Sequence, residues 1–74
     1  WEKVMSKFSE RLLLLRKEKN LKQEDVLLEF GLSIRTYRRY ETGASEEATL
    51  ATLWKIADFY GVSVDYLIGR TDTP

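Results

Sequence analysis

The sequence predicts an all-α domain built from five short helices. Apolar residues recur at helical spacing in five successive stretches of the chain. The four glycines, together with Asn20, stand at the ends of these stretches, where a left-handed residue closes a helix. The only proline is the last residue, so no interior position forbids a helix.

The first two predicted helices cover about residues 6–19 and 23–30. Their inner stripes consist of large apolar residues that fall on one helical face: Phe8, Leu12 and Leu15, then Val26, Leu27 and Phe30. Asn20 is expected to close the first helix, and Gly31 separates the second helix from the third.

The third predicted helix, at about 33–42, is the most informative segment. Arg35, Arg38 and Arg39 fall at i, i+3 and i+4 and therefore share one helical face. A different face, expected to turn inward, carries Ile34, Tyr37 and Glu41. A short helix with an apolar inner stripe and an arginine outer stripe suits the DNA major groove, where arginine binds guanine bidentately. Nucleic-acid binding is therefore the leading hypothesis.

The last two predicted helices cover about 49–60 and 63–68, and hydroxyl residues are expected to cap the third, fourth and fifth helices: Ser33, Thr49 and Ser63. The predicted inner stripe of the fourth helix is Leu50, Leu53, Ile56 and Ala57, with Phe59 or Tyr60. Residues 62–66 alternate like a strand, but their short length and the lack of a pairing partner favour a helix.

With 74 residues, the chain is expected to form one small domain. Met5 resembles a natural translation start, which predicts that 1–4 are an upstream extension, 5–70 the domain and 71–74 a C-terminal tail. A longer protein with a further domain is an alternative interpretation.

The composition argues against an enzyme. There is no cysteine and no histidine, so disulfides, thiolate or imidazole metal ligands and the usual histidine base are excluded, and we expect no metal and no cofactor. The longest apolar run, 12–15, is too short to cross a bilayer, and no signal peptide is recognisable. These features predict a cytoplasmic protein without membrane attachment.

The charge is distributed unevenly around a net charge of zero. Residues 16–43 carry seven Lys or Arg and five Asp or Glu, whereas 44–74 carry two and five. A zero net charge argues mildly against nucleic-acid binding, and the basic middle segment softens this objection.

Several motifs occur in order along the chain: Arg11-Leu-x-x-Leu15-Arg16, Leu21-x-Gln23-Glu24-Asp25-Val26, Gly31-x-Ser33, Tyr40-Glu41-x-Gly43, and a closing pattern from Ile56-Ala57-Asp58 to Leu67-x-Gly69. Together they closely resemble the phage repressor and Cro family of helix-turn-helix transcription regulators, over about residues 7–70. The resemblance implies a five-helix domain whose second and third helices form the helix-turn-helix. It also implies a bacterial or phage-encoded DNA-binding regulator, most simply a repressor.

The resemblance assigns a role to each matching position. The third helix becomes the recognition helix in the major groove of double-stranded DNA. The implied base contacts are Ser33, Arg35 and Arg39. Ile34 stands where the family usually has a polar residue that reads a base, and it is expected to touch a thymine methyl group instead. The implied phosphate contacts are Lys22, Gln23, Thr36, Arg38 and Thr42. Arg16 and Glu41 match a partly buried ion pair that joins the first helix to the end of the recognition helix.

Some residues depart from the family pattern. Lys22 replaces the usual hydroxyl cap of the second helix, and Leu27 stands where a small residue is preferred. The loop after Gly43 carries Glu46 and Glu47, which would repel phosphate. Tyr37 and Tyr40 are candidates for base stacking, but their inward phase favours core packing.

Surplus apolar residues leave a second functional class open. The candidates for a homodimer or partner interface are Leu13, Leu14, Trp54, Val64 and Tyr66, with a thicker core or a tolerated surface as the alternative. The dimer would bind a two-fold symmetric site. The competing class is a protein-interaction module that kept the fold and lost DNA binding, and salt dependence discriminates the two because only DNA binding must weaken steeply with salt.

Overall fold

The computed structural model describes residues 6–45 and 47–74. The predicted translation start at Met5, the predicted extension 1–4 and Glu46 of the acidic loop lie outside the described residues. The described chain folds into five α-helices: α1 (Ser6–Glu18), α2 (Gln23–Phe30), α3 (Ile34–Thr42), α4 (Leu50–Tyr60) and α5 (Val64–Ile68). The all-α prediction is confirmed, and each helix lies within about one residue of its predicted bounds.

Local chemistry fixes the helix ends. The side chains of Ser33, Thr49 and Ser63 each accept a hydrogen bond from a backbone N–H of the first turn, as predicted. Asn20 adopts φ 56° after α1, the left-handed conformation expected of it. Gly69, at φ 89°, also allows a close approach, since a Cβ there would lie 2.6 Å from the Cβ of Lys7 in α1.

The core contains the whole predicted inner stripe of α1 and part of the predicted stripes of α2, α3 and α4. Its buried members are Phe8, Leu12, Leu15, Val26, Phe30, Tyr37, Tyr40, Leu53, Ile56, Ala57, Tyr60 and Leu67. Leu27 is partly buried against them. The inward phase of Tyr37 and Tyr40 is therefore confirmed.

One core prediction is wrong. Leu50 has the right spacing for the inner stripe of α4, but it is 67% exposed. It is the first residue of the helix, so it projects beyond the end of the core. At the other end of α4, Tyr60 is buried and its neighbour Phe59 lies at the rim, which settles the alternative between them.

The packing arrangement leaves one side of α3 open. Helix α1 packs against α3 and α5, while α2 packs against α3 and α4, and α4 packs against α5. Tyr40 of α3 contacts Phe8 of α1, and Tyr37 contacts Phe30 of α2. A three-residue turn, 31–33, connects α2 to α3. Helix α3 is thus held from two sides, and its remaining face points to solvent.

Candidate nucleic-acid interface

The open face of α3 carries the arginines. Arg35, Arg38 and Arg39 are exposed, while Tyr37 and Tyr40 on the opposite face are buried. The structure thus separates the two faces as the sequence predicts. The three arginine side chains project from a helix whose opposite face is packed into the core. Their backbone positions are therefore held rigidly.

Arg16 and Glu41 form an ion pair beneath this face. Nε of Arg16 donates to Oε2 of Glu41 at 2.6 Å, and Nη2 donates to Oε1 at 3.0 Å. The side chains are only 12% and 4% exposed. Arg16 also donates from Nη1 to the carbonyl oxygen of Leu21, at 2.8 Å. This guanidinium therefore joins α1, the loop before α2 and the end of α3.

Glu41 accepts two further hydrogen bonds. The Tyr37 hydroxyl donates to Oε2, and Nε2 of Gln23 donates to Oε1 at 2.9 Å. Burial alone would raise the pKa of Glu41, but the hydrogen bonds from Arg16, Tyr37 and Gln23 outweigh it and hold this pKa below its usual value. The carboxylate therefore stays charged and fully engaged.

The pKa values of the residues that bind Glu41 shift upward, opposite to the shift of Glu41 itself. The hydrogen bond to Glu41 raises the pKa of Arg16 despite the cost of burial. Burial, followed by the bond to Glu41, raises the pKa of Tyr37. Tyr60 lies close to the same charges, and burial raises its pKa to about 12. Both phenols are therefore neutral at neutral pH.

Gln23 links this buried cluster to the arginine face. Its Oε1 accepts a hydrogen bond from Nε of Arg38 at 3.1 Å. Gln23 is partly buried and Arg38 is exposed. A continuous set of hydrogen bonds thus runs from Arg16 through Glu41 and Gln23 to Arg38.

The start of α2 has a cap that sequence reasoning missed. The Lys22 side chain offers no acceptor, but the carboxylate of Asp25 accepts a hydrogen bond from the backbone N–H of Lys22 at 2.7 Å. This is the returning half of a capping box. The signal was present in the sequence, since an acidic residue stands three positions after Lys22.

The remaining implied DNA contacts surround the arginines. Ser33, Lys22 and Thr42 are exposed, and Ile34 and Thr36 are partly buried. The Ser33 hydroxyl donates to the Thr36 hydroxyl at 3.1 Å and also caps α3. Ser33 therefore serves the helix start in the structure, and no direct DNA role is needed to explain it.

The five residues predicted to form an interface differ in their exposure to solvent. Trp54 is 59% exposed and Leu14 49%, whereas Leu13, Val64 and Tyr66 are partly buried. Trp54 and Val64 line a shallow groove between α4 and α5. The largest exposure of an apolar side chain among the described residues belongs to Leu28, at 92%, on the outer face of α2.

Arg11 has a structural role that its position in a sequence motif did not reveal. Its guanidinium stacks 4.0 Å from the Tyr66 ring centre and donates to the carbonyl oxygens of Tyr66 and Thr71, at 2.7 and 2.6 Å. It also donates to Asp72 at 2.6 Å. Arg11 therefore fastens the C-terminal segment to α1.

The described part of the chain contains neither a metal-binding cluster of acidic residues nor a membrane-spanning helix. Its acidic residues form no group of three or more that could hold a metal ion. Its helices are all too short or too polar to span a membrane.

A protein-family model described as helix-turn-helix matches residues 12–67. The chain belongs to the helix-turn-helix family. The matched span includes α2, α3 and both members of the Arg16–Glu41 pair. Every residue to which the sequence assigns a DNA contact also lies within it.

Curated relatives of this helix-turn-helix chain include regulators of phage and bacterial origin. It is 38% identical over 66 residues to the cryptic phage CTXphi transcriptional repressor RstR of Vibrio cholerae, covering 89% of this chain and 59% of the repressor. It is 37% identical over 67 residues to the uncharacterised HTH-type transcriptional regulator YobD of Bacillus subtilis (strain 168), covering 90% and 59%. The chain thus spans about three-fifths of the length of these relatives. No solved structure gave a significant match.

Proposed function

We propose that this chain is the DNA-binding domain of a transcription regulator that inserts α3 into the major groove of double-stranded DNA. The observation that carries the proposal is the exposed arginine face of α3 above a fully engaged Glu41 cluster. The cluster fixes α3 relative to α1 and α2, so the arginines are presented from a rigid scaffold. The family membership and the name of the phage repressor support the same function.

The proposed contacts divide into base and phosphate contacts. Arg35 and Arg39 start from nearly the same direction on α3, about 40° apart at 100° per residue, so both are assigned to base edges. Ile34 is assigned to a thymine methyl group. Lys22 and Thr42, near the beginning of α2 and the end of α3, are assigned to the backbone phosphates that flank the groove.

The charge distribution limits how the domain binds. The net charge is zero, and Glu47 in the loop after α3 is exposed. Affinity must therefore come from few, well-placed contacts and not from a broad basic surface. This favours a regulator that selects particular sequences over a non-specific nucleic-acid binder.

The proposed mode of action is occupancy of a two-fold symmetric site by a homodimer. Two copies would place their α3 helices about 34 Å apart, one turn of DNA. Trp54, exposed beside the α4–α5 groove, is the proposed centre of the contact between copies. The substitution W54E, which introduces a negative charge at this position, should then lower the sedimentation coefficient of the complex on a two-site duplex without changing binding to a half-site. Because it acts on DNA in a bacterial cell, the regulator is proposed to be cytoplasmic.

The test of the proposed function is selection from a randomised duplex library at two salt concentrations. We expect enrichment of a defined site, weaker at the higher salt concentration, and loss of enrichment in the R35A/R39A double variant. Circular dichroism should show that this variant is folded. Failure of the unaltered, folded chain to enrich any sequence would contradict DNA recognition and would support the partner-binding alternative.

A further inference from the structure

Gln23 stands between a buried acceptor and an exposed donor. Its side chain donates from Nε2 to Oε1 of Glu41 at 2.9 Å and accepts from Nε of Arg38 at 3.1 Å. A carboxylate only accepts hydrogen bonds, so Glu41 requires the nitrogen of the Gln23 amide to face it. The oxygen of the amide is then turned outward to Arg38, and the opposite orientation would break both of these hydrogen bonds.

The position of the Glu41 carboxylate is fixed by its other hydrogen bonds. Its two oxygens are held by Arg16, at 2.6 and 3.0 Å, and by the Tyr37 hydroxyl, and its side chain is 4% exposed. The buried cluster thus acts as a fixed base for the Gln23 amide. The orientation of an exposed guanidinium is in this way set by Glu41 and Gln23, which lie beneath the surface of α3.

This arrangement determines what Arg38 can offer. With Nε occupied by Gln23, its two Nη groups are left without a hydrogen-bond partner among the described residues. They form the end of the guanidinium that binds two oxygens at once. A tethered arginine also loses less side-chain entropy on binding than a free one.

The position of Arg38 on α3 favours phosphate as the target. At 100° per residue, Arg38 lies about 60° from Arg35 and about 100° from Arg39, on the flank of the arginine face that borders α2. A side chain at the flank of a helix in the major groove meets the sugar–phosphate backbone before the base edges.

We propose that Gln23 is a positioning residue for Arg38, holding its guanidinium so that both Nη groups bind one DNA phosphate end-on. This inference rests on the proposed function. It goes beyond the direct phosphate contact that the resemblance implies for Gln23, because the glutamine acts here through the arginine.

A double-mutant cycle tests the proposal on the selected duplex. The variants are Q23M, R38A and the pair together, with Leu28→Ala on the exposed side of α2 as the matched control. Methionine keeps the length of glutamine without its amide. Q23M is expected to weaken binding about fivefold when Arg38 is present, the size of one hydrogen bond, and to have almost no effect in R38A. R38A should also reduce the salt slope by about 0.9, whereas Q23M leaves it nearly unchanged.

A measurement without DNA tests the tether itself. In the unaltered chain, the Nε–H resonance of Arg38 should be protected from solvent exchange, and Q23M should remove this protection. Independent losses from Q23M and R38A, or an unprotected Nε–H, would overturn the positioning role while leaving DNA binding intact. If the unaltered chain binds no duplex, the proposed function fails, and the phosphate contact fails with it.

Discussion

The Glu41 carboxylate binds the Arg16 guanidinium through both of its oxygens, at 2.6 and 3.0 Å, across 25 positions of sequence. The pair joins the last turn of α1 to the last turn of α3. Both side chains are nearly buried, so the attraction between them is only weakly screened by solvent. The orientation of α3 therefore depends on a charged contact that is largely shielded from solvent.

Removing Arg16 should strongly destabilise the domain. Arg16→Met leaves Glu41 charged and buried without its main partner, and we expect the free energy of unfolding to fall by about 3–5 kcal/mol. Urea denaturation followed by circular dichroism measures this loss. The matched control is Lys17→Met at the exposed neighbouring position, which should change stability by less than about 0.5 kcal/mol. A similar small change in both variants would show that the pair is not structurally important.

The stability of the domain should fall in acid through Glu41. Burial acts to raise the pKa of Glu41, but its hydrogen bonds prevail and the pKa in the folded state lies below the ordinary value of 4.5. The resulting stabilisation is complete above the unfolded pKa and is lost as pH falls through the folded one. The melting temperature of the unaltered chain should thus approach that of Glu41→Gln as the pH is lowered below 4.5. A constant difference between the two chains down to pH 2.5 would contradict this assignment.

Loss of Arg11 should release the C-terminal segment and leave α3 in place. Arg11→Met removes the donor to Tyr66, Thr71 and Asp72 together with the stacking on the Tyr66 ring, and we expect a loss of about 1–3 kcal/mol. The amide of Ser63, which donates to the carbonyl oxygen of Pro74 at 3.1 Å, should exchange faster with solvent.

Lys7 supplies the control for Arg11. It lies 4.0 Å from the same Asp72 but is half exposed, and Lys7→Met should have little effect. Binding of the selected duplex should be unchanged by either variant. A loss of DNA affinity in Arg11→Met alone would show that the C-terminal segment contributes to the docking surface.

The helix ends were accessible from sequence because their causes are local. Ser33 caps its own helix, and Asn20 closes α1 with its own backbone conformation, so neither depends on the rest of the fold. The wrong prediction for Leu50 shows a limit of predicting buried residues from helical spacing. Helical spacing places it correctly on the inner stripe, but spacing carries no information about where the core stops.

The residues of the candidate site could be predicted from the sequence, but the hydrogen bonds that connect them could not. Arg35, Arg38 and Arg39 could be placed on one face from their spacing alone. The family resemblance, and not spacing, supplied the pairing of Arg16 with Glu41. The link from Glu41 through Gln23 to Arg38 depends on how closely α2 approaches α3, which is a property of tertiary packing.

The central claim is that Arg35 and Arg39 read base edges in the major groove, and an atom substitution in the DNA tests it most directly. Each guanine of the selected site is replaced in turn by 7-deazaguanine, which lacks the N7 acceptor, and affinity is measured for the unaltered chain, R35A and R39A. At one guanine the replacement should cost the unaltered chain about 1–3 kcal/mol and cost R35A almost nothing, with a second guanine paired in the same way to R39A. Equal losses in all three proteins at every guanine would show that neither arginine contacts N7 and would contradict the assignment.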